Sequence, residues 1–124
     1  MIDFQNKKVF KLSKGKEKNI PREVFSLLVT DEEVAGYYSS LRDFVVFTNK
    51  RIIACNAQGI AGTKKDYTSL PYSTMQAFSV ETSGTFDMDS ELTVCFSGLG
   101  TVKFDFTSNS DVQSINRLIA SHVL

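Results

Sequence analysis

The chain has 124 residues, of which 42% are hydrophobic and 23% are charged, with seven glycines and two prolines. These values are typical of one soluble globular domain and argue against global disorder. Fourteen basic residues balance fourteen acidic ones, so the chain lacks the overall basic field that nucleic-acid binding requires. The longest apolar runs contain four residues, which is too short for a membrane span or a signal peptide.

The positive charges are concentrated at the N terminus. Residues 1–22 contain seven Lys or Arg and two acids, whereas the rest of the chain has five more acids than bases. Residues 1–19 show no clean apolar period, so we interpret them as a basic N-terminal arm and residues 20–124 as the folded domain. The arm is either a mobile, solvated tail or a segment that docks on an acidic surface of its own body or of another copy.

A short helix is predicted next, followed by a long β region. Pro21 suits the first helical position because its missing N–H costs nothing there. The helix would have an apolar stripe formed by Val24, Phe25, Leu27 and Leu28. Seven strand-like segments follow, at residues 34–40, 44–47, 52–55, 64–70, 76–81, 92–97 and 102–106. The last two alternate between apolar and polar residues around a glycine-rich turn at 98–100, which predicts a hairpin with one buried face.

The chain ends in an amphipathic helix. Ser110 and Gln113 have the spacing of a capping box, and Val112, Ile115 and Ile119 recur on one helical face. Consecutive short strands with tight connections favour antiparallel pairing, and such sheets close into barrels or sandwiches. We therefore expect a mainly β (α+β) fold in which the C-terminal helix plugs one end of a partly open barrel.

Several blocks of the sequence, in this order, resemble the bacterial pleckstrin-homology-like (PH-like) domains. The blocks are residues 47–53 (FTNKRII), 58–59 with 62–65, 70–72 (LPY) and 81–92 (ETSGTFDMDSEL). The resemblance covers residues 24–124 and leaves residues 1–19 outside. It implies a seven-stranded antiparallel split barrel capped by a C-terminal helix, with ring-like self-association, no enzymatic activity and no settled ligand.

The residues themselves argue against a catalytic, metal or cofactor site. His122, the only histidine, is third from the C-terminus, where a general base is difficult to hold in place. Cys55 and Cys95 are the only cysteines, and without an export signal we expect both to be reduced in the cytoplasm and too few to bind zinc. The glycines at 59 and 62 lack the spacing of a phosphate-binding loop. We expect no enzyme, no metal, no cofactor and no small-molecule substrate.

Two neighbouring strands, at residues 44–47 and 52–55, are apolar on both faces. A strand with one wet face should alternate, so the outer face of this pair needs cover from either the short N-terminal helix or a second copy of the chain. We therefore predict, as the leading function, a non-enzymatic interaction or scaffold module that forms a homo-oligomer. The candidate interface combines this strand pair with an acidic segment: Phe47, Ile53, Phe86, Asp87, Asp89 and Glu91.

The alternative function is a peripheral adaptor that binds anionic phospholipid surfaces through the lysines between residues 7 and 18. The turn at 39–43, where eukaryotic PH domains cluster their lipid-binding bases, has one base beside one acid, too few for several charge-assisted phosphate contacts. Further candidate anion contacts are Lys50, Arg51, Lys64 and Lys65. Adjacent residues of a strand point to opposite faces, so these bases need not converge.

Overall fold

The computed structural model describes residues 1–5, 11–58, 63–82, 89–107 and 111–124. A 3₁₀ turn at Glu17–Asn19 precedes the first α-helix, and a second at Tyr72–Thr74 joins two strands. Among the described residues, no helix is both long and apolar enough to cross a bilayer. The strands and α-helices are, in chain order, β1 (Lys11–Lys14), α1 (Arg22–Leu27), β2 (Val34–Ser39), β3 (Asp43–Thr48), β4 (Arg51–Gln58), β5 (Lys64–Pro71), β6 (Met75–Thr82), β7 (Ser90–Phe96), β8 (Gly100–Phe106) and α2 (Val112–Val123).

All of these strands belong to one sheet, in the order β5-β4-β3-β2-β1-β8-β7-β6. Neighbouring strands are antiparallel except β1 and β8, which are parallel, so the sheet is mixed. In the part of the chain described, β5 and β6 each have one strand partner, and the sheet is therefore open. The expectation of a mainly β fold with a C-terminal helix is confirmed. The prediction of seven antiparallel strands is corrected, because the sheet has eight strands and one parallel pair.

The additional strand, β1, lies within the segment that the sequence analysis interprets as a basic arm. β1 pairs with β2 on one side and β8 on the other, and its Leu12 is fully buried. Ile2 is also buried in the main core, and the Phe4 ring lies 6.3 Å from the Phe104 ring in an edge-on contact. Residues 1–5 and 11–14 thus pack as part of the domain, while Lys7 and Lys8 lie outside the described residues.

Strands β3 and β4 separate two hydrophobic cores. The main core contains Phe47 and other inward residues of the sheet, together with the buried face of α2. The second core lies on the opposite face of β3 and β4, where Ile20 and Val24 cover Val46 and Ile53. The same chain therefore supplies the cover that the sequence analysis left open between the short helix and a second copy. Phe47 and Ile53 are fully buried, so these two candidate interface residues are not available to a partner.

The turn before β8 and the buried face of α2 match the predictions made from the sequence, whereas the N-cap of α2 differs. Gly98, in the turn between β7 and β8, and Gly100, the first residue of β8, adopt positive φ values of 86° and 93°, a conformation that glycine allows without steric cost. Helix α2 buries the predicted face, formed by Val112, Ile115 and Ile119. Its N-cap is Asp111, whose side chain accepts a hydrogen bond from the Ser114 backbone N–H at 3.1 Å. The predicted cap, Ser110, lies outside the described residues.

Candidate functional site

The two ends of the sheet are the first candidate interaction surfaces. The edge strands β5 and β6 each contain eight residues, which is long for a strand. Their outward-facing side chains are mostly exposed. A long exposed edge presents unpaired backbone N–H and C=O groups to any chain that can add a strand, and proteins usually shorten or protect such edges. Since neither edge has a second strand partner among the described residues, both are candidate interaction surfaces.

Three carboxylates lie side by side on the outer face of the sheet, ending at the β6 edge. Glu81 of β6 lies opposite Glu91 of β7, and Glu91 lies opposite Asp105 of β8. We call these three residues the acidic row. On the far side of the row, Asp105 lies opposite Lys11 of β1. Like charges directly opposite each other destabilise strand pairing, so the acidic row would be stabilised by positive charge at its open end.

The exposed Asp89 extends the acidic character of this region, and together with the acidic row it lines a shallow depression of about 210 Å³. Of the predicted interface residues, Asp89 and Glu91 thus lie together near the β6 edge, while Phe86 and Asp87 lie outside the described residues. No group of three or more His, Cys, Asp or Glu side chains within the described ranges is arranged to hold a metal ion.

Glu81 and Asp105 were not among the interface residues predicted from the sequence. The hairpin register would have found Asp105, because a turn at 98–100 sets Glu91 of one strand opposite Asp105 of the next. Glu81 follows in the same way from the β6–β7 register. A pattern of single strands does not reveal such a row, since its members come from three different segments of the chain.

The four candidate anion contacts do not converge on one site. Lys64 and Lys65 are exposed at the start of the edge strand β5. Lys50 is exposed in the turn between β3 and β4 and lines a separate cleft of about 500 Å³. Arg51 lines the same cleft, but its charge is already paired within the fold. The structure therefore leaves a basic end on β5 and one isolated lysine on the β3–β4 turn.

Arg51 and Glu32 form a structural ion pair. The Arg51 Nε donates to one carboxylate oxygen of Glu32 at 2.8 Å, and its Nη2 donates to the other at 2.9 Å. Arg51 also donates to the Ser69 hydroxyl and to the Leu27 carbonyl. Glu32 in turn accepts a hydrogen bond from the Thr48 hydroxyl at 2.7 Å. These bonds tie the loop after α1 to the β3–β4 turn and leave Arg51 little capacity to bind an external anion.

Three further residues that line the 500 Å³ cleft make contacts within the fold. The Tyr72 hydroxyl donates to the Thr48 carbonyl at 2.8 Å. His122 stacks on the Tyr72 ring, with centroids 5.8 Å apart and planes 10° from parallel. The Asn49 side-chain amide donates to the Asp31 carbonyl at 2.9 Å. Two of the sequence blocks that carry the family resemblance, FTNKRII and LPY, therefore meet at this cleft, where they hold three segments of the chain together.

This architecture, an open β-sheet whose inner face is covered by a C-terminal helix, is that of the PH-like class of domains. The chain belongs to the bacterial PH domain family, whose pattern matches residues 3–123. The family resemblance proposed from the sequence is thus confirmed. The match begins before β1, so it includes the N-terminal strand that the sequence analysis placed outside the domain.

Relatives of known sequence and structure support this assignment. The chain is 38% identical to YjqA, an uncharacterised protein of Bacillus subtilis (strain 168), over 82% of this chain and 83% of YjqA. It is similar to the structure of a protein with a pleckstrin-homology domain from Shewanella loihica, with a TM-score of 0.80, 36% identity, and coverage of 92% of this chain and 98% of that chain. A pleckstrin-homology domain from Shewanella amazonensis has a TM-score of 0.64 and 40% identity, over 82% of this chain and 83% of that one.

Proposed function

We propose that this protein is a non-enzymatic interaction module that self-associates through the edges of its sheet. The observation that carries the proposal is the pair of long edge strands, β5 and β6, each bonded to a neighbour on one side. Because the two edges are different strands, pairing β6 of one copy with β5 of the next is a heterologous contact that leaves a free edge at each end. Such contacts close into a ring when the rotation allows it, which agrees with the self-association that the family resemblance implies.

The side chains that could take part in catalysis, a cysteine thiol and the histidine, support a binding role instead. Burial raises the pKa of the Cys55 thiol to about 11, and a thiol in that state is a poor nucleophile. His122 is engaged in its stack on Tyr72. Cys55 and Cys95 are both free cysteines in the structure.

The native mass tests this proposal directly. Size exclusion coupled to light scattering, over a series of protein concentrations in the micromolar range, should give a mass that is a multiple of the 13.8 kDa chain. The mass should fall toward that of one chain on dilution, because a contact between edge strands is reversible. A monomeric mass at every concentration would overturn the proposal.

A second candidate function is binding to an anionic phospholipid surface, and one observation favours it. Between Lys11 and Arg22, the five basic side chains are all exposed and only one acid, Glu17, lies among them. Exposed basic segments are attracted to anionic membranes by about 1 kcal/mol per charge. We expect co-sedimentation with phosphatidylserine vesicles at low salt, weakened by Lys16→Glu with Lys18→Glu. An absence of binding at low salt would reject this function.

A further inference from the structure

We propose that the partner at the β6 edge is the basic start of β5 from a second copy of this chain, so that Lys65 of one copy lies opposite Glu81 of the next. This inference rests on the proposed self-association. It adds which edges meet, their direction and register, and the charge that controls their affinity.

The positions of the charges determine the direction of pairing. The acidic row reaches β6 at Glu81, close to the C-terminal end of that strand. The exposed bases of β5, Lys64 and Lys65, lie at its N-terminal end. In an antiparallel pair the C-terminal end of one strand meets the N-terminal end of the other. Antiparallel pairing therefore brings the acidic end of β6 to the basic end of the neighbouring β5, whereas parallel pairing would place those bases beside Met75.

The faces of the two strands determine the register. Side chains alternate between faces, so a sheet that continues from one copy to the next must join outer positions to outer positions. Glu81 points to the outer face because it pairs with Glu91, which is next to Leu92 of the main core. Thr68 pairs with Ala54, another residue of the main core, so Lys65, three positions away along β5, points to the outer face. With Glu81 opposite Lys65, the outer and inner positions match along the pair: Ser79 with Tyr67, Ala77 with Ser69, and Phe78 with Thr68. A slip of one residue would set every outer side chain against an inner one.

This register also places a positive charge at the open end of the acidic row. Within the described part of one copy, Lys11 lies at the β1 end of the row and no base lies opposite Glu81 at the β6 edge. Lys65 of the second copy would supply the missing base, so that three carboxylates lie between two lysines. Opposite charges in cross-strand pairs are favourable and like charges are unfavourable. All of these groups lie on an outer face, so salt should weaken the contact.

Charge reversal at each side of the pair tests the inference. Glu81→Lys and Lys65→Glu each replace an attraction by a repulsion, and each should raise the concentration needed for assembly by about tenfold. The double variant, Glu81→Lys with Lys65→Glu, restores opposite charges and should recover assembly. Lys18→Glu changes the charge by the same amount as Lys65→Glu but lies in the turn before α1, so it should leave assembly unchanged. Sedimentation velocity over a concentration series measures all four variants beside the unchanged chain.

The possible outcomes separate this inference from the proposed function. If the unchanged chain is monomeric throughout, self-association fails and this inference fails with it. If the unchanged chain assembles and both single variants assemble equally well, self-association stands and the proposed edge contact is overturned. If the single variants are weakened but the double variant is not restored, Glu81 and Lys65 act at different places and their pairing is overturned. Circular dichroism of each variant verifies that the fold is retained.

Discussion

Glu32 has a side chain with no exposed surface, a position where a carboxylate is costly unless it is paired. Burial by itself raises the pKa of Glu32. The hydrogen bonds from Arg51, the Thr48 hydroxyl and the Val29 backbone N–H, together with the positive charge of Arg51, outweigh that effect and hold the pKa below its usual value of 4.5. The ionised form is therefore the one that the folded state prefers, and the loop after α1 depends on it.

Replacing this carboxylate should destabilise the fold in a pH-dependent way. We expect Glu32→Gln to lower the free energy of unfolding by about 3 kcal/mol at neutral pH, because it leaves Arg51 partly buried without a counter-charge. A depressed pKa in the folded state stabilises the protein above the unfolded pKa, and the contribution is lost as pH falls through the folded pKa. The difference between variant and unchanged chain in urea unfolding should therefore shrink in acid.

The neighbouring Glu33 provides the matched control for this experiment. Its side chain is exposed, so Glu33→Gln should change the free energy of unfolding by less than about 0.5 kcal/mol at any pH. Equal effects of the two substitutions, or an effect of Glu32→Gln that persists unchanged in acid, would contradict the role assigned to the ion pair.

Among the helices and strands, those with their own periodic apolar pattern could be predicted from the sequence. Features that depend on neighbouring strands could not. The β7–β8 hairpin and α2 could be predicted because each has its own alternation or helical stripe. Strand β1 has one apolar residue, Leu12, among polar ones, and its burial comes from β2 and β8 on either side. The acidic row was missed for the same reason, since only the register of three strands assembles it.

Helix α1 shows that an apolar stripe in the sequence does not identify which of its residues is buried. The stripe predicted from Val24, Phe25, Leu27 and Leu28 does not say which of its members faces the sheet. In the structure Val24 is fully buried, whereas Phe25 and Leu27 are 49% and 41% exposed. A helix of six residues makes fewer than two turns, so one central side chain carries most of its contact with β3 and β4.

Truncating the two neighbouring side chains of α1 should therefore have unequal effects. We expect Val24→Ala to lower the free energy of unfolding by about 2 kcal/mol, because it removes buried methyl groups and leaves a cavity over Val46 and Ile53. Phe25→Ala removes more atoms from a half-exposed position and should cost less than about 0.5 kcal/mol. Urea unfolding at concentrations below assembly measures both. A larger loss for Phe25→Ala would show that the opposite face of α1 carries the packing.

At the scale of the whole molecule, the two edges and the charge distribution act together. The overall charge is zero, so copies do not repel one another as wholes. The acids collect near one edge of the sheet and exposed bases begin the other edge. Under the proposed pairing, each copy contributes both edges to contacts with two neighbours, and the native state is stabilised by association as well as by its own cores.

This coupling predicts that thermal stability depends on protein concentration. A partner that binds only the native chain stabilises it by an amount that grows with the logarithm of its concentration, about 1.4 kcal/mol for each tenfold increase once association is favourable. For a chain of this size we expect the unfolding temperature to rise by roughly 4 °C per tenfold increase in concentration, as measured by scanning calorimetry. Glu81→Lys should show a flatter dependence over the same range, because it assembles more weakly. An unfolding temperature of the unchanged chain that does not vary with concentration would mean that association contributes nothing to its stability.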